Sequence, residues 1–508
     1  MFTKVLIANR GEIAVRVIRA CRLMGIKTVA IYSDADDKAL HVSIADEAHR
    51  VGGPAPGDSY LNIESIISIA KRTGSEGIHP GYGFLAENSN FSSACEKEGI
   101  KFIGPTAKTL LTTGNKTESK RLAKSQGVPV IPGTERIIED VEEAKGIADS
   151  LGYPVLLKSA FGGGGRGIRE VGKEDEFKQG FTRATNEAKG AFGRAGMYVE
   201  KLIAPARHVE IQVLSDRKGN AVWLGERECS IQRRHQKLVE LTPCPAISEE
   251  VRKKVGGYAV KVAKAVGYEN AGTMEFLMDK DHNFYFMEVN SRLQVEHPVT
   301  EAVTGVDLVK QQLIVASTGN LPLSQTEITR NGAAMECRIN AEDPLAGFAP
   351  AAGTVGRIRL PGGPGVRVDT ALYEGYTIPT YYDSLVAKII VRGSDLEDSR
   401  QRMLAALSEF SIAGIQTTIP FHQTLLQSEP FKKWDFSTDF VERTGIVEEM
   451  NRRGGEEMRR LDELGVAIGA AMLAKGFHKQ VAMEANAGGR SWWTTYPGNK
   501  EARFFDEV

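Results

Sequence analysis

The stretch Phe284-Tyr-Phe-Met-Glu-Val-Asn-Ser-Arg-Leu-Gln-Val-Glu-His-Pro298 contains two successive patterns. It opens as a β-strand, because its first residues are mostly apolar and residues 281–283 supply a turn before it. Beyond that point polar side chains occupy every second position, namely Glu288, Asn290, Arg292, Gln294 and Glu296. Alternation along an extended segment places these five side chains on one face. Apolar residues at both ends favour a buried polar face over a solvated one, and buried charges need partners or a metal.

The residue types on this face indicate a metal and an anionic substrate. Carboxylate and amide oxygens are hard-cation ligands, typical of magnesium that bridges phosphates. An arginine and a further carboxylate suit an anion and a general base. Another carboxylate, Glu275, lies in the strand-like segment 272–277, and it comes near Glu288 if the two segments form a hairpin through residues 279–283. Acidic residues on a hairpin are commonly surface groups, so this metal-site prediction depends on the buried context.

Length, charge and cysteine content limit the number of domains and the kinds of function that the chain can have. The length of 508 residues favours about three domains, and a hydrophobic fraction of 42% is that of an ordinary globular protein. A formal net charge of −1 gives no overall field for nucleic acid or membrane surfaces. Five cysteines without a C-x-x-C pair, and no apolar run of membrane-spanning length, predict a cytoplasmic protein without a cysteine-bound metal.

The N-terminal part follows a strand–helix–strand rhythm. Residues 5–8, 13–24 and 28–32 form the first βαβ unit of a predicted doubly wound sheet, and the rhythm continues to residue 103. The first turn lacks the G-x-G-x-x-G pattern, which argues against a dinucleotide site. We expect an α/β fold here, and α+β structure in the segment at about 131–203 and in the C-terminal part.

A glycine run marks the second unit. A predicted connecting helix over 108–126 carries Lys116, and a strand over 153–159 carries Lys158 just before Gly162–Gly165. Consecutive glycines let the backbone approach phosphates closely. No helix opens on G-K-[ST], so this is not a Walker A loop. A flexible hairpin tip is the alternative, but Lys158 and Arg166 beside the glycines favour a lid over ATP.

Antiparallel strands and further helices are predicted after the lid. Segment 208–214 alternates and pairs across a turn with 222–224, and it is followed by the charged segment 226–237. A third unit contains predicted strands at 334–340 and 383–391 and a helix at 399–409. Lys388 lies among the apolar residues of the last strand, and we expect it to form a structural ion pair with Asp383.

These motifs together resemble the biotin carboxylase branch of the ATP-grasp superfamily over about residues 1–445. The motifs near the N-terminus and at 288–297 are specific to biotin-dependent carboxylases, whereas the lid and the carboxylate pair alone indicate only an ATP-grasp protein. The motifs are 5–14, 79–88, Lys116, Lys158 with Gly162–Gly165, Glu200-Lys201, 208–212, 226–237, Glu275 and 288–297. The resemblance implies an ATP-grasp fold with an N-terminal doubly wound pre-ATP-grasp domain. The implied domains are 1–113, 114–333 with a mobile lid at about 131–203, and 334–445, followed by a tail at 446–508.

The resemblance also implies a nucleotide site with two magnesium or manganese ions. Lys116, Lys158 and His208 are expected to contact the phosphates of ATP, with Gly163, Gly164 and Gly165 closing over them. Adenine and ribose are expected to lie against Glu200, Lys201, Leu202, Gln232, Leu277 and Ile168, with His235 as a further neighbour of the nucleotide. The metal ligands implied are Glu275, Glu288 and Asn290.

Bicarbonate and biotin complete the implied chemistry. Lys237, Arg292, Gln294 and the backbone of Val295 are expected to hold bicarbonate. Glu296 is expected to remove its proton, so that it attacks the γ-phosphate of ATP to give carboxyphosphate and ADP. Arg338 is expected to stabilise the enolate of biotin, with Tyr82 as a second biotin neighbour.

The tail over 446–508 lies outside the resemblance. Residues 456–475 show one apolar helical face, and five aromatic residues between 492 and 505 suggest docking onto the chain itself or onto a partner. Biotin is normally attached to a lysine between two methionines, whereas Ala482-Met483-Glu484 has glutamate after its methionine. We therefore expect biotin to be a substrate on a separate biotin carboxyl carrier protein.

The resemblance further implies a homodimer and a separate carboxyltransferase subunit. The acceptor is recognised by another polypeptide, with acetyl-CoA or propionyl-CoA as our first expectation. The alternative is that the chain is the biotin carboxylase component of a pyruvate carboxylase. Another kind of ATP-grasp ligase and a non-catalytic scaffold are remoter alternatives.

Overall fold

The structure is a computed structural model that describes residues 1–159, 168–192 and 196–453. Its N-terminal unit is a parallel sheet of five short strands, β1 (Lys4–Ile7), β2 (Lys27–Ser33), β3 (Glu47–Gly52), β4 (Gly77–His79) and β5 (Lys101–Phe102). Four helices connect them: α1 (Gly11–Leu23), α2 (Leu40–Ile44), α3 (Ile63–Thr73) and α4 (Ser89–Lys97). The strand order β3-β2-β1-β4-β5 places a switch point between β1 and β4.

Alternation along β1 explains why this sheet is covered on both faces. Val5 and Ile7 pack with α1, whereas Leu6 packs with Ile66 of α3 and Phe91 of α4. This is the predicted doubly wound arrangement.

The predicted connecting helix over 108–126 is two helices, α5 (Ala107–Gly114) and α6 (Lys116–Ser125). Asn115 breaks it, because its side chain accepts a hydrogen bond from the Glu118 N–H at 3.1 Å and so caps α6. The break places Lys116 in the first turn of α6.

The segment predicted as a lid contains a separate three-stranded antiparallel sheet. Its elements are α7 (Val141–Leu151), β6 (Val155–Ser159), β7 (Ile168–Val171), α8 (Phe177–Phe192) and β8 (Met197–Lys201), with strand order β7-β6-β8. Apolar residues of α7, including Ala144 and Ala148, pack with Phe177 and Phe181 of α8 against this sheet. The Gly162–Gly165 run lies outside the described residues.

An antiparallel sheet of eight strands forms the centre of the molecule. The strands are β9 (Arg207–Ser215), β10 (Ala221–Arg233), β11 (Gln236–Thr242), β12 (Asn270–Met278), β13 (Phe284–Asn290), β14 (Ala333–Asn340), β18 (Val366–Thr370) and β19 (Leu385–Gly393). Their order is β13-β12-β9-β10-β11-β14-β19-β18. Because β11 pairs with β14, the sheet runs without a break from the predicted second unit into the third.

Helices and short ladders surround the central sheet. The helices are α9 (Glu249–Ala265), α10 (His297–Thr304), α11 (Leu308–Thr318), α12 (Leu396–Glu409), α13 (Ile419–Gln427), α14 (Glu429–Lys432) and α15 (Phe440–Thr444). The ladders pair β15 (Glu342–Asp343) with β16 (Ala349–Pro350) and β17 (Ile358–Arg359) with β20 (Ser411–Ile412). Among the described residues, no helix has the length and apolar character needed to cross a membrane.

The predicted extended face over 288–296 is wrong beyond Asn290. Strand β13 ends there, residues 291–296 form a loop, and Glu296 is the N-cap of α10. The chain leaves the ladder because the Glu87 carboxylate binds the Ser291 N–H at 2.9 Å and Arg292 Nε at 3.0 Å. Pro298 then suits the first turn of a helix, where its missing N–H has no cost.

Candidate active site

The central sheet has one apolar face and one polar face. Val209, Ile211 and Val213 of β9 pack toward α9, and Met335, Cys337 and Ile339 of β14 pack toward α12 and α13. Alternation turns the intervening side chains to the opposite face. These are buried or half-buried polar residues, namely His208, Glu210, Gln212, Thr273, Glu275, Glu336 and Arg338.

Lys237 lies at the centre of this polar face. Its Nζ atom donates hydrogen bonds to Glu210 at 2.6 Å, Glu275 at 3.0 Å and Glu296 at 2.7 Å. Burial alone would lower the pKa of Lys237, but the three carboxylates outweigh burial and hold that pKa well above its usual range. We call Lys237, Glu210, Glu275, Glu296 and Arg338 the Lys237 cluster.

Glu296 is a fully buried carboxylate held between two cations. One oxygen accepts from Lys237, and the other accepts from Arg338 Nη2 at 2.9 Å. Burial would raise the pKa of Glu296, but Lys237 and Arg338 together hold that pKa well below its ordinary value. Glu296 is therefore ionised and able to accept a proton.

Arg338 is fixed from its other side by Glu240 of β11. Arg338 Nε donates to Glu240 Oε1 at 2.6 Å, while burial raises the pKa of Glu240 to about 7. The Arg338 carbonyl is held in turn by His422 Nε2 at 2.7 Å. The guanidinium thus has a defined position beside the Glu296 carboxylate.

The predicted carboxylate pair is confirmed as a geometric feature. Glu275 and Glu288 lie directly opposite each other on β12 and β13. Lys116 Nζ lies 2.5 Å from Glu288 and His208 Nε2 lies 3.3 Å from Glu275. Asn290 follows on the same side of β13 as Glu288, and its Oδ1 accepts from Arg292 at 3.3 Å.

This donor set fits magnesium. Two facing carboxylates and an amide oxygen are the oxygen ligands that this ion prefers. His208, Glu210 and Glu275 also bring their ligand atoms within 4.8 Å of one another. The carboxylates are balanced by lysine and histidine side chains, which can turn to phosphate when a metal takes the oxygens.

The loop 291–296 brings the predicted bicarbonate residues to the same cluster. Arg292 Nη1 donates to Gln294 Oε1 at 2.9 Å, and the Gln294 amide lies 3.4 Å from Glu275 Oε1. The Val295 carbonyl accepts from Lys388 Nζ at 2.8 Å. The predicted Lys388–Asp383 pair is wrong, since the ammonium lies 3.1 Å from Glu12 and the Asp383 carboxylate binds the Leu385 N–H.

Of the other residues predicted for the nucleotide, some form ion pairs or hydrogen bonds, some are located only by their burial, and three lie outside the described residues. Lys158 pairs with Glu200, which also binds Lys120, whereas the Lys201 ammonium donates to the Gly152 carbonyl at 2.8 Å. Gln232 is buried in β10, Leu277 lies opposite His208, Leu202 is half-buried just after β8, and His235 is exposed in the β10–β11 turn. Gly163, Gly164 and Gly165 lie outside the described residues.

Several residues of the site were missed from the sequence. Glu210 and Arg227 lie in the motifs 208–212 and 226–237, but alternation alone did not separate them from a solvated face, and Glu240 lies outside every motif that the sequence marked. Glu87 belongs to the glycine-rich motif 79–88 and bonds to the loop after β13. Glu12 and Lys388 are far apart in sequence, and only the tertiary structure brings them into contact.

The separate sheet β7-β6-β8 and the polar face of the central sheet, with its facing carboxylates and lysines, define the class of the protein as an ATP-grasp ligase. The family models agree, with the carbamoyl-phosphate synthase L chain ATP-binding domain matching residues 115–324. The biotin carboxylase N-terminal domain matches residues 1–110, and the biotin carboxylase C-terminal domain matches residues 336–443. The chain belongs to the biotin carboxylase family.

Known proteins are similar along most of the chain. Biotin carboxylase 1 of Bacillus subtilis is 54% identical over 88% of this chain and 100% of its own length. A pyruvate carboxylase subunit of Methanothermobacter thermautotrophicus is 51% identical over 91% of this chain and 95% of its own length.

Among solved structures, the biotin carboxylase domain of Hydrogenobacter thermophilus 2-oxoglutarate carboxylase, in complex with MgADP, ADP and bicarbonate, has a TM-score of 0.83. It is 51% identical and covers 88% of this chain and 98% of that chain. The predicted fold and family are confirmed, and the protein is an ATP-dependent biotin carboxylase that uses Mg²⁺.

Proposed function

We propose that the polar face divides its residues among the substrates as the sequence predicts. Lys116, Lys158 and His208, with Gly163, Gly164 and Gly165, bind the phosphates of ATP. Lys237, Arg292, Gln294 and the Val295 backbone bind bicarbonate, while Arg338 and Tyr82 face biotin. The observation that carries this proposal is Glu296, ionised between Lys237 at 2.7 Å and Arg338 at 2.9 Å.

Glu275, Glu288 and Asn290 would hold the magnesium ions. When bound, Mg²⁺ supplies electrostatic stabilisation of the phosphate charge and orients the phosphates. The surrounding cations complement this role, because Lys116 and His208 lie beside the same two carboxylates. The phosphates can therefore take the place of the carboxylates beside Lys116 and His208, while the metal takes the place of these cations beside the carboxylates.

The first chemical step is a proton transfer to Glu296. Bicarbonate gives its proton to this carboxylate, and a bicarbonate oxygen attacks the γ-phosphorus of ATP. The bond from that phosphorus to the β,γ-bridging oxygen breaks, so that ADP leaves and carboxyphosphate forms. An anion that shares Lys237 and Arg338 weakens their hold on Glu296 and raises its pKa, which makes it a better base.

The second step transfers carbon dioxide to biotin. Carboxyphosphate breaks down to carbon dioxide and phosphate, and the phosphate takes the ureido proton of biotin. Arg338 stabilises the negative charge that develops on the ureido oxygen, because Glu240 and Glu296 hold the guanidinium in place beforehand. The ureido nitrogen then attacks carbon dioxide to give carboxybiotin.

We also propose domains at 1–113, 114–333 with a lid at about 131–203, and 334–445. Of the predicted tail 446–508, Ile446 and Met450 pack into the core of the third unit, and residues 454–508, with the predicted apolar helical face and the aromatic residues, lie outside the described residues and are proposed for docking. Biotin arrives on a separate carrier, since Ala482-Met483-Glu484 has no lysine for its attachment. A homodimer, a cytoplasmic location and a separate carboxyltransferase subunit complete the proposal.

The acceptor is chosen by that carboxyltransferase subunit. Acetyl-CoA or propionyl-CoA remains our first proposal and pyruvate the alternative, which the name of one relative also carries, and the name of another relative adds 2-oxoglutarate. Reconstitution with the carrier and carboxyltransferase, followed by carboxylation assays on these four acceptors, decides among them.

The half-reaction is tested by ADP release from the purified chain with Mg²⁺, ATP and bicarbonate. We expect strong stimulation by free biotin. ATP cleavage that ignores biotin would indicate a different ATP-grasp ligase, and no cleavage even with the biotinylated carrier would indicate a scaffold.

A further inference from the structure

A buried lysine outside the proposed binding residues joins the two sides of the site. Lys388 of β19 is fully buried, and its ammonium donates to the Val295 carbonyl at 2.8 Å and lies 3.1 Å from Glu12 Oε1. The same Glu12 oxygen accepts a hydrogen bond from the Tyr82 hydroxyl. Tyr82, Glu12, Lys388 and the Val295 carbonyl thus form one continuous chain of contacts, which we call the Lys388 link.

The link connects α1, the loop after β4, strand β19 and the loop 291–296. Glu12 lies in the first turn of α1, and Tyr82 lies in the loop after β4, so both follow the carboxyl ends of β1 and β4 at the switch point of the sheet. Asn9 Nδ2 fixes that loop by donating to the Pro80 and Tyr82 carbonyls, both at 2.7 Å. Gly81 permits this approach, because its φ is +62° and a Cβ there would lie 2.9 Å from Asn9 Nδ2.

Charge balance alone does not explain the position of Lys388. Its other close acid, Asp369, is 3.9 Å away and already pairs with Arg367 at 2.7 Å. Glu336 also contributes negative charge nearby. The short contacts of the ammonium go instead to Glu12 and to a backbone carbonyl in the loop that carries Gln294 and Glu296. Leaving either partner of a buried ammonium unpaired is costly. A displacement of Glu12 is therefore transmitted through the Lys388 ammonium to the Val295 carbonyl.

We propose that Lys388 is a positioning residue that couples Tyr82, on the biotin side, to the Val295 carbonyl, on the bicarbonate side. This inference rests on the proposed roles of Tyr82 and Val295. Biotin docking at Tyr82 changes the Tyr82–Glu12 contact, and Lys388 carries the change to the loop that presents bicarbonate to Glu296. By linkage, bicarbonate binding has the reciprocal effect on biotin affinity.

The experiment changes a residue of the link and measures the KM of the substrate that this residue does not contact. Tyr82→Phe removes only the hydroxyl, and we expect the bicarbonate KM to rise by about fivefold or more, the lower limit of typical coupling between sites. Lys388→Met should raise the KM for free biotin and reduce the stimulation of ADP release by biotin to a similar degree. Lys101→Met, which removes a lysine that pairs with Glu269 at 2.8 Å and is not part of the link, is the matched control and should change neither KM value.

A second variant separates positioning from folding. Glu12→Gln with Lys388→Met removes both charges of the ion pair, so it buries no uncompensated member of that pair. We expect this double variant to keep the reduced stimulation by biotin. Normal stimulation in it, or an unchanged bicarbonate KM in Tyr82→Phe, overturns the inference while leaving the proposed function intact. A wild-type chain without any stimulation by biotin contradicts the proposed function itself.

Discussion

Two cations on the same face of the central sheet bind one carboxylate, Glu210, in different ways. Arg227 is completely inaccessible to solvent and donates to Glu210 at 2.5 Å, Gln212 at 2.7 Å, and Thr273 and Thr300 at 3.0 Å. Lys237 keeps 12% of its side chain exposed and binds three carboxylates. We call the first group the Arg227 cluster.

This difference indicates that the Arg227 cluster stabilises the fold, whereas the Lys237 cluster can bind a substrate. In the Arg227 cluster, the guanidinium donates to one carboxylate and to neutral acceptors, so it has no donor to offer a ligand. In the Lys237 cluster each carboxylate has a second cation: Arg227 for Glu210, His208 for Glu275 and Arg338 for Glu296. Lys237 can therefore exchange partners without leaving a buried acid unpaired, which is what binding an anion requires.

Breaking the Arg227 cluster should have the largest effect on stability. Arg227→Met removes four hydrogen bonds from a fully buried group, and we expect a loss of about 3–5 kcal/mol in the free energy of unfolding. Denaturant unfolding measures it. Arg50→Met, at an exposed ion pair with Asp34, is the control and should change stability by less than about 1 kcal/mol. Equal losses in the two variants would contradict this stabilising role.

Breaking the Lys237 cluster should mainly affect activity. Lys237→Met leaves Glu210, Glu275 and Glu296 with their second cations, so we expect a folded protein. Its kcat/KM for bicarbonate should fall on the order of 10²–10³-fold, as for other preorganised charges at reacting groups. Steady-state ADP release measures this, with Lys101→Met as the control. A Lys237→Met variant that is destabilised as strongly as Arg227→Met but keeps its specific activity would reverse the assignment of roles.

A smaller effect should appear in the pH dependence of stability. Burial lowers the pKa of His422 to about 4, so this histidine is neutral while it supports the Arg338 carbonyl. Unfolding returns the pKa toward its ordinary value near 6.5 and takes up a proton, so stability is present above that pH and is lost as pH falls toward 4.

The variant His422→Gln should lessen this acid sensitivity. Between pH 7.5 and 5, we expect it to lose about 2 kcal/mol less free energy of unfolding than the wild type. Urea unfolding at both pH values measures the difference. Parallel losses in the two proteins would show that His422 is not neutral in the fold.

The sequence predicted these clusters unevenly. The Glu275–Glu288 pair was predictable because a short hairpin sets the register between two strands, and period-two alternation then fixes the face. The loop 291–296 was not, since its polar alternation also suits a strand, and the contact with Glu87 that bends it comes from another part of the chain. Lys388 was assigned to Asp383 by proximity in sequence, whereas its partner Glu12 lies in the first helix of the chain, far from Lys388 in sequence.

The most direct test of the central claim, that Glu296 is the base, compares Glu296→Gln with the wild type. We expect biotin-dependent ADP release to be abolished while ATP affinity, measured by equilibrium binding with Mg²⁺, stays unchanged. Glu226→Gln, at another buried glutamate paired with Arg252 at 2.7 Å, is the matched control and should retain activity. Full biotin-dependent turnover by Glu296→Gln would contradict the account, because no proton acceptor would then be required at this position.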